Sequence, residues 1–251
     1  MLNYTIRPIC TGWQYLDKAE YATFRRGRGQ IIEHPVLTFL IEGGGRKILV
    51  DTGMSDTERS VKYHHDGRQD PGEAIHEQIA KLGMEMDDID IIIFTHLHWD
   101  HCYNLDKFPN ARLYVSEREY RFALNPIPFY MKSYENPALG IGCPWEGRKF
   151  NLIPGEEEIV EGVRAFQTPG HSPGHMAVSV QTEKGIYVIA GDLFFLRENI
   201  EPDPESGWPI YPPGRFYNIL ELWQSMEDVI RRADYILVTH DPIHLEQEIY
   251  P

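Results

Sequence analysis

Short apolar runs recur along the chain, each broken by a polar or glycine-containing turn. The runs rich in β-branched residues predict strands over 36–41, 47–50, 89–94, 112–115, 163–166, 176–180, 186–190 and 235–238. Between some of them the spacing lengthens to that of a helix. Over 72–82, Ile75, Ile79 and Leu82 fall four and three apart with Gly83 as a stop; over 218–233, Leu222, Met226, Val229 and Ile230 repeat the pattern. A third helix over 116–124 opens on Ser-Glu-Arg-Glu, a capping-box match. Strands interleaved with helices predict a layered α/β domain. No internal repeat is evident.

Three stretches have no clear period. One, 13–34, holds Arg25, Arg26 and Arg28; another, 125–150, is rich in proline and aromatics; the third, 200–216, places prolines around Trp208 and Tyr211. Loops of this length either rim a functional site or form surface insertions and oligomer contacts, a homodimer included.

Composition narrows the class. A chain of 251 residues, 42% hydrophobic, can bury the core of one large domain, and a single domain over 1–251 is expected. No run approaches the roughly 18 apolar residues that cross a bilayer. The opening MLNYTIRPICTG lacks a basic region followed by an apolar stretch, so the protein reads as soluble and cytoplasmic. Net charge is −14, from 24 Lys+Arg against 38 Asp+Glu, so nucleic acid is repelled on average and a small-molecule substrate is expected. Cys10, Cys102 and Cys143 match no CxxC motif and are read as reduced thiols.

The chemistry concentrates in FTHLHWDHCYN. A strand leaving 91–94 projects His96 and His98 to one side, because side chains alternate along extended backbone. As the chain turns away, Asp100 and His101 converge on a second point. Further candidates follow other strands directly: His171 in QTPGHSPGH, Asp192 in AGDLFF and His240 in VTHDP. The ends of neighbouring strands share one sheet edge, which separates a ligand set from scattered histidines. Imidazole and carboxylate without thiolate suit zinc first, with iron, manganese or cobalt compatible, and two such ions are expected.

These motifs resemble the metallo-β-lactamase superfamily: LVDTG at 49–53, THLHWDH at 95–101, TPGHSPGH at 168–175, Gly191-Asp192 and Thr239-His240. The resemblance covers nearly the whole chain. It implies an αββα sandwich of two mixed sheets flanked by helices, with a dinuclear site at one edge. It also implies that His96, His98 and His171 hold one metal, that Asp100, His101 and His240 hold the other, and that Asp192 bridges them. Asp51 then orients a ligand, while His175 matches no ligand position. Within the superfamily the likeness is greatest to the N-acyl-homoserine lactonases. That branch implies attack of a metal-bridging hydroxide on a lactone carbonyl, with Asp100 carrying a proton as well as ligating.

The chain departs from that branch in two places. A tyrosine that commonly follows the bridging aspartate, and holds the substrate carbonyl, is replaced by Phe195, which cannot donate a hydrogen bond. Cys102-Tyr103-Asn104 also stand where small residues are usual. Tyr103, Tyr211 and Tyr217 are candidates for the missing hydroxyl, and Arg25 with Arg26 for binding a substrate carboxylate if their loop folds over the metal edge. Alternatives on the same site are a glyoxalase II-like thioesterase and an amide or β-lactam hydrolase. A nucleic-acid-processing enzyme and a non-catalytic metal-binding protein fit less well.

Overall fold

In the computed structural model, which describes residues 3–251, twelve strands form two sheets. The first runs β4-β1-β2-β3-β5-β6-β7, comprising β1 (Thr5–Asp17), β2 (Ile31–Gly43), β3 (Arg46–Val50), β4 (Gly67–Arg68), β5 (Ile91–Ile93), β6 (Arg112–Ser116) and β7 (Phe150–Ile153). Strands β1 to β3 pair antiparallel, and β3, β5, β6 and β7 pair parallel. The second runs β12-β11-β10-β9-β8, comprising β8 (Glu157–Val160), β9 (Val163–Gln167), β10 (Met176–Thr182), β11 (Gly185–Ile189) and β12 (Tyr235–Leu237). It is antiparallel except where β12 joins β11.

Alternation within each strand sorts side chains between layers. Ile91 and Ile93 point inward with Phe39, Ile48 and Val50 to meet Val163, Met176, Val178 and Ile189 of the other sheet. Ile92, Leu49 and Leu40 point outward, where α3 (Ile75–Lys81) covers them with Ile75 and Ile79 and α5 (Glu117–Leu124) adds Ala123. On the opposite outer face, α6 (Ile219–Arg232) sets Leu222, Met226 and Val229 against Phe166, Ala177 and Val188. This is the αββα sandwich expected from the sequence. The remaining α-helices are α1 (Lys18–Tyr21), α2 (Thr57–Tyr63) and α4 (Trp99–Cys102). No helix among the described residues is long and apolar enough to cross a membrane.

All eight anticipated strands and all three helices are present. The stretch 13–34 is not the loop its composition suggested: it holds the second half of β1, α1 and the start of β2, with Gln14 opposite His34 and Tyr15 opposite Glu33. The capping-box match at 116–124 is half realised. Ser116 accepts from the Glu119 N–H, but the Glu119 carboxylate turns into the core instead of back to the Ser116 backbone.

Candidate metal centre

Strand direction gathers the candidates. The C-terminal ends of β3 and β5 in one sheet, and of β9, β11 and β12 in the other, meet at one edge of the sandwich. His96 and His98 leave β5, and Asp100 and His101 sit on α4 immediately after. His171 follows β9, Asp192 lies in a helical turn after β11, and His240 follows β12. Backbone hydrogen bonds fasten the two sheets at this edge. The Met176 N–H donates to the Thr95 carbonyl (2.8 Å), and the Leu37 N–H to the Thr239 carbonyl (3.1 Å).

The seven side chains are buried and fall into overlapping groups whose ligand atoms lie within 4.8 Å of one another: His96, His98 and His171; His96, His101 and Asp192; Asp100, His101 and His240. Asp192 stands between the clusters. Its Oδ2 is 3.4 Å from His171 Nε2, while its Oδ1 is 3.0 Å from His101 Nε2 and 3.2 Å from His240 Nε2.

Most of the imidazoles are held from behind by the opposite ring nitrogen. His101 Nδ1 donates to Asp51 Oδ2 (2.8 Å), His240 Nδ1 to the Pro35 carbonyl (2.9 Å), and His171 Nδ1 to the Arg215 carbonyl (3.3 Å). The Thr95 hydroxyl donates to Asp51 (2.7 Å), which leaves its oxygen to accept from His96 Nδ1 (3.0 Å). Each Nε2 so fixed presents a bare lone pair to the centre, the tautomer a metal requires. His98 instead brings Nδ1 to 3.1 Å from His171 Nε2.

This donor set fits a metal. His96 Nε2, His101 Nε2, His240 Nε2 and Asp192 Oδ1 are buried without a hydrogen-bond partner, an arrangement that costs free energy unless a cation satisfies it. The electrostatics agree. Burial holds His96 and His98 well below the usual imidazole range and takes His171 down to about 4, so these offer lone pairs. Burial also opposes charge on His101, yet Asp192, Asp51 and Asp100 together lift it well above its ordinary value. The carboxylate-rich half of the centre calls for positive charge.

Several supporting residues escaped the sequence reading. His175, which the sequence set aside as a ligand without giving it another role, accepts the Asp192 N–H through Nε2 (3.2 Å) and so fixes the loop that carries Asp192. Glu119 ties two ligand loops together by accepting from the Leu97 and Gly174 N–H groups and the Ser172 and Tyr134 hydroxyls. Gln14 donates to Asp100 Oδ2 (2.9 Å). Only the Ser-x-x-Glu spacing hinted at Glu119, His175 stood in the TPGHSPGH motif without an assigned role, and Gln14 had no local signal.

A narrow cleft opens over the centre, lined by Gln14, Tyr21, His65, Ser133, Phe195 and Arg215 beside the ligand candidates. Of the residues put forward for substrate contact, Phe195 is there, its ring stacked on His240 at 4.9 Å. Arg25, Arg26, Tyr103, Tyr211 and Tyr217 do not line it. Arg25 is exposed over the Phe24 ring, and Arg26 pairs with Asp203 (2.7 Å) above the Tyr211 ring. The Tyr211 hydroxyl donates to the Phe24 carbonyl, Tyr103 lies under Arg59, and Tyr217 packs beside Phe122 and Tyr130. The arginine cluster thus does not fold over the metal edge, because Asp203 holds Arg26 elsewhere.

The family model described as the metallo-beta-lactamase superfamily matches residues 31–240, and the chain belongs to that superfamily. An N-acyl homoserine lactonase of Bacillus thuringiensis subsp. kurstaki is 31% identical over 191 residues, 72% of each chain. One from Rhizobium radiobacter is 27% identical over 183 residues, 65% of this chain and 66% of its own. Among solved structures, an N-acyl homoserine lactone hydrolase with the product N-hexanoyl-L-homoserine bound at its catalytic metal center superposes with a TM-score of 0.80. It is 25% identical, over 98% of this chain and 96% of that one.

Proposed function

We propose that the protein is a metal-dependent hydrolase that opens a lactone, an N-acyl homoserine lactone or a related cyclic ester. The observation that carries this reading is the set of buried, unpartnered imidazole nitrogens and Asp192 oxygen converging on one edge, in a chain similar to a hydrolase whose product is bound at its catalytic metal center. We assign two ions, zinc first, because Asp192 turns one oxygen to each histidine cluster. His96, His98 and His171 would hold one, Asp100, His101 and His240 the other. Ions so held supply an activated water and an electrophile for the ester carbonyl.

The chain's own residues do the rest. Asp51 and the Pro35 and Arg215 carbonyls keep His101, His240 and His171 in the ligating tautomer. Gln14 holds Asp100 by one oxygen and leaves the other to take and return a proton. Phe195 supplies no donor; Tyr21 brings the one phenol into the cleft, and burial raises its pKa, so it keeps its proton and can donate to the substrate carbonyl. Unpaired thiols at Cys10, Cys102 and Cys143 support a reducing, cytoplasmic setting.

Metal analysis of the purified protein, together with a screen of lactones, thioesters and β-lactams, tests the reading. His98→Ala is expected to lose metal and at least about 100-fold in kcat/KM on lactones. Retention of both metal and activity by that variant would remove the assignment, and a preference for thioesters or β-lactams would change the substrate.

A further inference from the structure

We infer that Arg215 is an anion-binding residue at the mouth of the cleft, so that the preferred substrate carries a carboxylate or similar anionic group beside the ester that is cleaved. The inference rests on the reading of the site as an ester hydrolase and, of the two substrates proposed there, selects an acidic cyclic ester over a neutral N-acyl homoserine lactone.

Arg215 is half-buried and lines the cleft alongside His98, His171 and Ser133. Its Nη2 donates to the Ser133 hydroxyl (3.1 Å), and the guanidinium lies 5.4 Å from the centre of the Phe129 ring and 5.5 Å from that of Tyr130. No Asp or Glu oxygen among the described residues comes within 4.0 Å of it. Among the half-buried arginines of the described residues only Arg148 shares this, and it is taken up by the Phe108 carbonyl (3.1 Å) away from the cleft. Arg7, Arg26, Arg59 and Arg68, comparably buried, each meet a carboxylate: Glu248, Asp203, Glu135 and Glu33. In a chain of net charge −14, acidic partners are plentiful, so an uncompensated arginine here reflects placement and not shortage.

The placement is also held firmly. The Gly214 and Arg215 N–H groups both donate to the Tyr21 carbonyl, at 2.9 and 3.1 Å. A Cβ on Gly214 would stand 2.3 Å from the Ala19 carbonyl, so the backbone comes closer than any other residue allows. The Arg215 carbonyl accepts from His171, which couples the cation's position to the metal edge. A serine hydroxyl and two ring faces orient the guanidinium and leave most of its five donors for a planar, bidentate acceptor. A carboxylate fits that fork better than a neutral carbonyl, and it alone cancels the charge.

The test uses zinc-loaded protein and two five-carbon ligands with no hydrolysable bond that differ in whether the second end is a carboxylate or a methyl group, glutarate and pentanoate. Each has one free carboxylate for the metal edge; only glutarate has another for Arg215. Titration calorimetry is expected to show glutarate bound about tenfold more tightly, a preference reduced to within about twofold in Arg215→Gln. Equal affinities in the unaltered protein overturn the inference, and so does a preference that survives in Arg215→Gln. Because the readout is equilibrium binding, it separates from the proposed reaction. Glutarate preference in a protein that opens no lactone would sink the reaction and leave this inference standing. Lactone opening without that preference would do the reverse.

Discussion

Tyr21 and Phe195 both line the cleft, and in the proposed reaction they divide between them what a single tyrosine would supply. The phenyl ring stacks on His240 and shields it, while the hydroxyl arrives from α1, far away in sequence, with its oxygen 3.5 Å from His65 Nε2. Tyr21→Phe is expected to lower kcat on lactones by about 10- to 100-fold with bound metal unchanged, as for loss of one carbonyl-stabilising donor. Steady-state kinetics beside metal analysis checks this, and an unchanged kcat assigns the hydroxyl no part in the reaction. At this scale the ligand candidates were legible because four of them fall within six positions behind an apolar run. Tyr21 and Arg215 were not, since a lone tyrosine or arginine in an aperiodic stretch carries no pattern until its neighbours in space are known. Asp51 lies between: the resemblance gave it a ligand to orient without saying which, and the structure sets it at φ +63 with a hydrogen bond to the His101 imidazole.

Among the elements, α5 and the loop carrying His171 depend on each other. A Cβ on Gly174 would lie 2.0 Å from the Glu119 nitrogen and 2.5 Å from its Cα, backbone atoms that cannot rotate aside. Gly174→Ala is therefore expected to displace the His171 loop, costing about 2 kcal/mol or more in stability and a larger share of metal affinity. Denaturant unfolding with a competitive zinc assay measures both, and a variant unaffected in either would mean that the loop gives way freely. Of the strands that precede ligand candidates, β5 was readable because its isoleucines are buried on both faces, and β9, β11 and β12 because short apolar runs persist where one end is half-buried or exposed. Strand β1 was not: its alternation changes face at the register shift between Cys10 and Trp13, and Pro8 and Gly12 interrupt its apolar positions. Strands β7 and β8 lie at sheet edges, mostly exposed or half-exposed, so little hydrophobic pattern marks them.

Across the whole molecule, pH acts through histidines buried without charge. His244 accepts the Val238 N–H through Nε2 (3.0 Å), and burial takes its pKa from the ordinary 6.5 down to about 4. Unfolded, this imidazole binds a proton near pH 6.5; folded, it does so only near pH 4. Its contribution is complete above the higher value and is lost as pH falls between them, about 3 kcal/mol in all. His244→Gln, which retains an acceptor, is expected to flatten the slope of unfolding free energy across that window. Parallel slopes for the two proteins would assign the pH dependence to other groups. Chelation acts on the same scale. Stripping metal with EDTA is expected to lower Tm, and restoring zinc to raise it in proportion to the logarithm of free zinc. A Tm indifferent to chelator would deny the centre any part in holding the sheets together.

The ligands after β5 and those after β9, β11 and β12 lie far apart along the chain, and this governs the order in which the molecule can be completed. During synthesis, the His96 to His101 segment emerges early and waits: His171 and Asp192 bring its first partners, and the second cluster is complete only once His240 has left the ribosome. Metal capture is then the closing event of assembly, and it draws together segments whose separation makes the loop entropy it removes large.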